Sequence, residues 1–151
     1  MAEKGHIFTG PEILKLKTEG GWAVAHSMAL RGHIFTEPEI LKIASNYGIT
    51  VAHEMVEKGH IFTDAETLKL ANKYGTTVAH LMAERGHIFT DPEILKITDN
   101  EGWTVAHEMA KCGYAVSNPE ILKLKYRNKR TVKDIADSHA LRAKNKKCGK
   151  R

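Results

Sequence analysis

Cysteine is scarce here: Cys112 and Cys148 are the only two in 151 residues, and Cys148 sits in a charged tail. Two cysteines build neither a disulfide framework nor a thiolate metal site. Their scarcity suits a reducing compartment and disfavours a disulfide between them. Long apolar runs are also missing. No stretch approaches the roughly 18 residues that span a bilayer, and the N-terminus has no basic segment leading into an apolar one. The expectation is a soluble, cytoplasmic chain with no membrane contact. A Gly-rich phosphate loop, a nucleophile elbow and an isolated acid/base pair are all absent. Catalysis needs a unique constellation, so no enzyme and no cofactor are expected.

What is present is an average soluble composition, 42% hydrophobic and 27% charged, which disfavours global disorder and fits one domain. The net charge of +5 hides an asymmetry. Residues 1–124 carry 12 basic and 16 acidic groups, a net −4, whereas residues 125–151 carry 11 basic and 2 acidic, a net +9. Basicity belongs to the C-terminal end alone, so only that end can argue for nucleic acid.

The chain repeats itself every 27 residues. Gly-His recurs at Gly5-His6, Gly32-His33, Gly59-His60 and Gly86-His87, with Gly113-Tyr114 as a fifth copy. The same period carries Phe8, Phe35, Phe62 and Phe89; Leu14, Leu41, Leu68, Leu95 and Leu122; and His26, His53, His80 and His107. Such self-similarity is the mark of stacked repeats. The expected fold class is all-α, an α-hairpin solenoid of helix–turn–helix units. Its single domain spans 1–143: an N-terminal half unit, about four full units and a degenerate capping half unit at 125–143. A disordered basic tail at 144–151 follows.

Each unit reads as two short helices. The first starts at Thr50-Val51-Ala52-His53 and its equivalents, runs about nine residues, and ends on the Gly of Gly-His as a left-handed cap. Val51 and Met55 share its inner face, with Glu54, Glu57 and Lys58 outward. The second is signalled by Thr9, Thr36, Thr63, Thr90 and Ser117, each followed three residues on by Glu12, Glu39, Glu66, Glu93 and Glu120, the pattern of a capping box. Pro11, Pro38, Pro92 and Pro119 fall in its first turn, and Gly48, Gly75 or Gly102 would stop it. The loop pair Ile34-Phe35, with Ile61-Phe62 and Ile88-Phe89, is expected to plug the core between units.

The string from Gly102-Trp103-Thr104-Val105-Ala106-His107 to Gly113, followed by Pro119-Glu120-Ile121-Leu122-Lys123-Leu124, resembles the ankyrin repeat. That resemblance covers residues 5–136 and implies a stacked protein-binding scaffold. Two departures accompany it. The ankyrin unit is about 33 residues and carries a β-hairpin finger, whereas this unit has no segment assigned to a finger. About four residues, such as Ile88-Phe89-Thr90-Asp91, are added between Gly-His and the second helix. The unit is therefore read as finger-less.

Nine histidines raise the question of metal. Stacked units lie roughly 10 Å apart, too far for ligands to converge, so the histidines are read as frame. In the ankyrin family the Thr-x-x-His histidine bonds its own threonine or a neighbouring unit. The lysine column Lys15, Lys42, Lys69, Lys96 and Lys123 follows a Glu three residues earlier each time and reads as a solvated, near-neutral face. Positions that vary while the frame repeats are more informative. They are the turn residues Trp22, Ile49, Thr76 and Trp103, with Arg130 at the same place, and the aromatics Tyr47 and Tyr74. Large aromatics at turns anchor interfaces. A protein partner is therefore expected on one side of the array. The alternative is nucleic acid or an acidic partner at Lys125, Arg127, Lys129, Arg130, Lys144, Lys146, Lys147, Lys150 and Arg151, or a structural or inhibitory module of a larger assembly. Self-association through the open N-terminal half unit is a further expectation.

Overall fold

The computed structural model describes residues 10–127 and 129–148, with side chains up to residue 143. The expected N-terminal half unit, including Thr9, lies outside the described residues. Helices come in two lengths. Four-residue helices occupy α1 (Pro11–Leu14), α3 (Pro38–Leu41), α5 (Ala65–Leu68), α7 (Pro92–Leu95) and α9 (Pro119–Leu122). Seven-residue helices occupy α2 (Val24–Leu30), α4 (Val51–Glu57), α6 (Val78–Glu84) and α8 (Val105–Lys111), and α10 (Val132–Cys148) is longer. Helix α2 packs on α4, α4 on α6, α6 on α8, and α8 on α10, while each short helix packs on the longer helix that follows it. The chain is thus a helical repeat in which successive helices cover one another. Helices this short are marginal alone, so the stack supplies their stability.

The expected register of the first helix is found. Val51, Val78 and Val105 are fully buried, as are Ala52, Ala79 and Ala106 and the methionines four residues beyond each valine. Its last turn closes on a left-handed glycine. Gly59 has φ +87°, its N–H bonds the Val56 carbonyl at 2.8 Å, and the His60 N–H reaches back to Met55 at 3.0 Å. The same closure recurs at Gly32 and Gly86.

Four expectations need correction. The second helix does not start at Thr/Ser. Its cap is the residue just before the helix: ahead of a proline, Asp91 accepts from the Glu93 N–H at 2.9 Å and Asn118 from the Glu120 N–H at 2.9 Å, and ahead of Ala65, Asp64 accepts from the Thr67 N–H at 2.7 Å. Proline forbids its predecessor the helical region, so the cap falls there and Thr90 lies one residue outside. The expected capping box is therefore not formed, and the glutamates stay exposed.

The second correction concerns the supposedly missing hairpin. After one turn of α3 the chain goes extended: Ala44 bridges Thr50, Ser45 donates to the Ile49 carbonyl at 2.9 Å, and Val51 donates to Ile43 at 3.0 Å. Equivalent bridges join Lys17 to Ala23, Ala71 to Thr77 and Thr98 to Thr104. In the last copy the bridge widens to β1 (Lys125–Tyr126) paired antiparallel with β2 (Arg130–Thr131). Gly48 and Gly75 are therefore hairpin turn residues at φ +73° and +80°, not helix stops.

Third, the loop pair divides. Phe35, Phe62 and Phe89 are buried and T-stack on His33, His60 and His87 at 4.6 Å, but Ile34, Ile61 and Ile88 stand exposed. Adjacent residues of an extended loop point opposite ways, so only one of each pair can face the core. Fourth, α10 continues unbroken to Cys148, so no break falls at 143 and the backbone of 144–148 is helical. Residues 149–151 lie outside the described residues.

The repeated histidine joins the units. His53 Nδ1 accepts from the Thr50 backbone N–H at 3.2 Å and lies 2.7 Å from its hydroxyl, while Nε2 lies 3.1 Å from the Thr76 carbonyl of the next unit. An amide N–H can only donate, so Nδ1 is unprotonated and Nε2 carries the hydrogen. His80 repeats this with Thr77 and Trp103, and His26 with Ala23 and Ile49. Position 23 alone lacks the hydroxyl. Ala23→Thr should add the missing cap and raise stability by about 1 kcal/mol, read by urea denaturation; a drop in midpoint would show that the first unit does not share the frame's space. In α10 the histidine is replaced by Asp134. It accepts from the Thr131 N–H and hydroxyl, both at 2.8 Å, and so caps its own helix, but as a carboxylate it has no N–H to donate to a further unit. Lys133 stands exposed where the equivalent alanines are covered.

Candidate binding groove

Of the columns that vary within this fixed frame, three meet in cavities. One is the hairpin residue before Thr: Trp22, Ile49, Thr76, Trp103 and Arg130. The second lies on the first helices at Ser27, Glu54, Leu81, Glu108 and Ile135, and the third one turn later at Leu30, Glu57, Glu84, Lys111 and Ser138. Two cavities are built from these same columns in different units. One, about 340 Å³, is walled by Leu30, Ile49, Thr76 and Leu81 with Glu54 and Glu57. The other, about 250 Å³, is lined by Trp103, Lys111, Arg130 and Arg142, with Ile135 and Ser138.

Glu54 and Glu108 are buried, contrary to the outward position expected for Glu54. Their surroundings differ. Glu108 accepts from Trp103 Nε1 and from Lys111 Nζ, both at 2.8 Å. Among the described residues the Glu54 carboxylate accepts no hydrogen bond and has no cation within 4.0 Å. Burial, then the charge of Glu57, pushes its carboxyl above the usual range, with Lys58 acting the other way. Glu57 itself is held by Arg85.

The structure brings together some of the sequence-selected residues and separates others. Ile49 and Thr76 share the first cavity; Trp103 and Arg130 share the second. Trp103 is tied down by Glu108 and lies edge-on to Tyr126 at 5.1 Å. Trp22 stacks on His26 at 4.8 Å. Tyr47 and Tyr74 line neither cavity. They sit exposed on the hairpin tips, with Lys73 Nζ 4.4 and 5.1 Å from their rings.

The basic cluster is also split. Arg127 pairs with Glu101 at 3.0 Å and Arg130 donates to Ser138 at 2.9 Å, while Lys125 and Lys129 are exposed on the hairpin. Side chains of Lys144, Lys146 and Lys147, and the whole of Lys150 and Arg151, lie outside the described ones. Sequence reasoning missed Leu30, Leu81, Glu54, Lys111 and Arg142. For all but Arg142 the signal was there: each sits in a column that varies while its neighbours repeat.

Among the described residues no three His, Cys, Asp or Glu side chains converge as a metal site, and no helix is long and apolar enough to cross a membrane. No protein-family model matches the chain, and no curated protein matches it.

Proposed function

We propose that this chain is a short ankyrin-like solenoid that binds a protein partner along the groove. The order of hairpin, first helix, left-handed glycine and second helix in every unit supports the ankyrin-like reading. The observation that carries the binding reading is that three varying columns meet in two cavities, whereas a third cavity, beside Gly32 and Gly59, is lined largely by the repeating frame. A groove of mixed apolar and charged side chains suits a polypeptide surface, where a few anchors carry the affinity. The test is capture of partners from the native host. Leu81→Arg in the groove should abolish it, and Ile61→Arg, outside the groove, should leave it intact. Equal capture by both variants would refute the groove.

The second cavity favours a second reading. Arg130, Arg142 and Lys111 beside the Trp103 ring make a basic, aromatic-edged pocket, suited to an anionic chain such as nucleic acid. Single-stranded RNA or DNA should then bind the intact chain with an affinity that falls about tenfold or more between low and moderate salt. Arg130→Glu with Arg142→Glu should remove that binding, and affinity indifferent to salt would sink the reading.

A further inference from the structure

We infer that the cavity over Glu54 is a slot for one lysine or arginine side chain of the partner. The inference rests on the protein-binding reading above. Glu54 is only 6% exposed, lines the cavity, and among the described residues has neither a hydrogen-bond donor nor an ion pair on its carboxylate. Its oxygens are not sealed from solvent, so the charge is tolerated in the free chain and is open to a cation entering the cavity.

The walls say what kind of cation. Leu30, Ile49 and Leu81 supply aliphatic wall beside the carboxylate, with His53, Asn72 and Thr76 completing the lining, and the aliphatic part matches the methylene stem of a long basic side chain. A divalent cation needs several converging oxygens. The only other carboxylate lining the cavity, Glu57, is already engaged by Arg85. A cationic head on an alkyl stem is the chemistry that satisfies both parts, and a protein presents it as lysine or arginine.

The test uses the full chain and two small probes, N-acetyl-lysine methylamide and its uncharged counterpart N-acetyl-norleucine methylamide. Binding is followed by NMR on the methyl groups of Leu30, Ile49 and Leu81. The lysine probe should give saturable shifts at these methyls, and the norleucine probe none at equal concentration. Glu54→Gln should weaken the lysine probe roughly ten- to hundredfold, the worth of a charge-assisted bond. It should also leave the thermal midpoint unchanged or raised, because it removes a charge that the folded surroundings disfavour and keeps the shape. Equal binding of both probes, no saturable shift, or undiminished binding by a folded Glu54→Gln chain would each overturn the slot. Failure here with partner capture still lost in Leu81→Arg would leave the groove standing without the slot. Probe binding with capture indifferent to Leu81→Arg would instead remove the protein-binding reading.

Discussion

Lowering the pH from 7.5 to 5.5 is expected to destabilise this protein steeply. His26, His53, His80 and His107 are buried, and for each of them burial is the largest cause and holds the ring below its ordinary value. The backbone carbonyl of the next unit acts in the opposite direction on all four. At His107 the last joint is open: among the described residues the buried Nε2 closes no hydrogen bond, although the Arg130 carbonyl nearby still opposes the burial.

The sign follows from where the proton would go. A second ring proton belongs on Nδ1, which already faces an amide N–H, so the folded state resists it while the unfolded chain takes it up near pH 6.5. Stability contributed by the neutral rings is therefore complete above that pH. It is lost as pH falls through it, levelling off once the folded rings also titrate. Each ring adds up to about 1.4 kcal/mol per pH unit, so four set a ceiling of about 5. Urea denaturation at stepped pH measures the slope. A midpoint that does not move between pH 7.5 and 5.5 would contradict the neutral-ring joints, as would NMR evidence of hydrogen on Nδ1.

The second large effect is expected at Gly48. Its φ of +73° already disfavours any side chain, and a Cβ there would lie 2.6 Å from the backbone nitrogen of Lys73. That nitrogen donates to the Tyr47 carbonyl at 3.1 Å and so links neighbouring hairpins. Gly48→Ala thus meets both a conformational cost and a collision with main chain that cannot swing aside. Gly102 separates the two costs. Its φ is +84°, but among the described residues nothing lies within 4 Å of its Cβ position. Gly102→Ala should lose about 1–2 kcal/mol, the left-handed cost alone. Gly48→Ala should lose at least about 3, because the hairpins must also part. Equal losses would show that the hairpins do not bear on each other.

These two predictions also mark what could be read in advance. The period was legible from the sequence's self-similarity, and the buried Val-Met face, the glycine caps and the Thr-x-x-His pairing because each depends on residues within one unit. The cap at Asp91 was equally local, but Thr90 and Glu93 imitate a capping box one residue early, and the geometric demand of Pro92 settles the register. Less could be read of the hairpin. Ile43-Ala44-Ser45 continues a helical pattern, and only the neighbouring hairpin makes the extended form worthwhile. Burial of Glu54 was hidden for the same reason, since its own helix places it outward while Leu30 and Leu81 of the two neighbouring units flank it. Which of Ile61 and Phe62 faces inward could not be decided from spacing, because both are apolar and adjacent.

The histidine joint has a consequence for how such a chain can change in length. Its donor and acceptor stand 23 residues apart in His26–Ile49, His53–Thr76 and His80–Trp103, and the side-chain tie from Asn100 to Lys73 spans 27. Losing or gaining one residue inside a unit would put a joint out of step with its hairpin. Duplicating or excising a whole unit would leave every joint intact. Growth by entire units is thus the inexpensive route for this gene, and each added unit would bring three fresh groove positions whose side chains the frame leaves open.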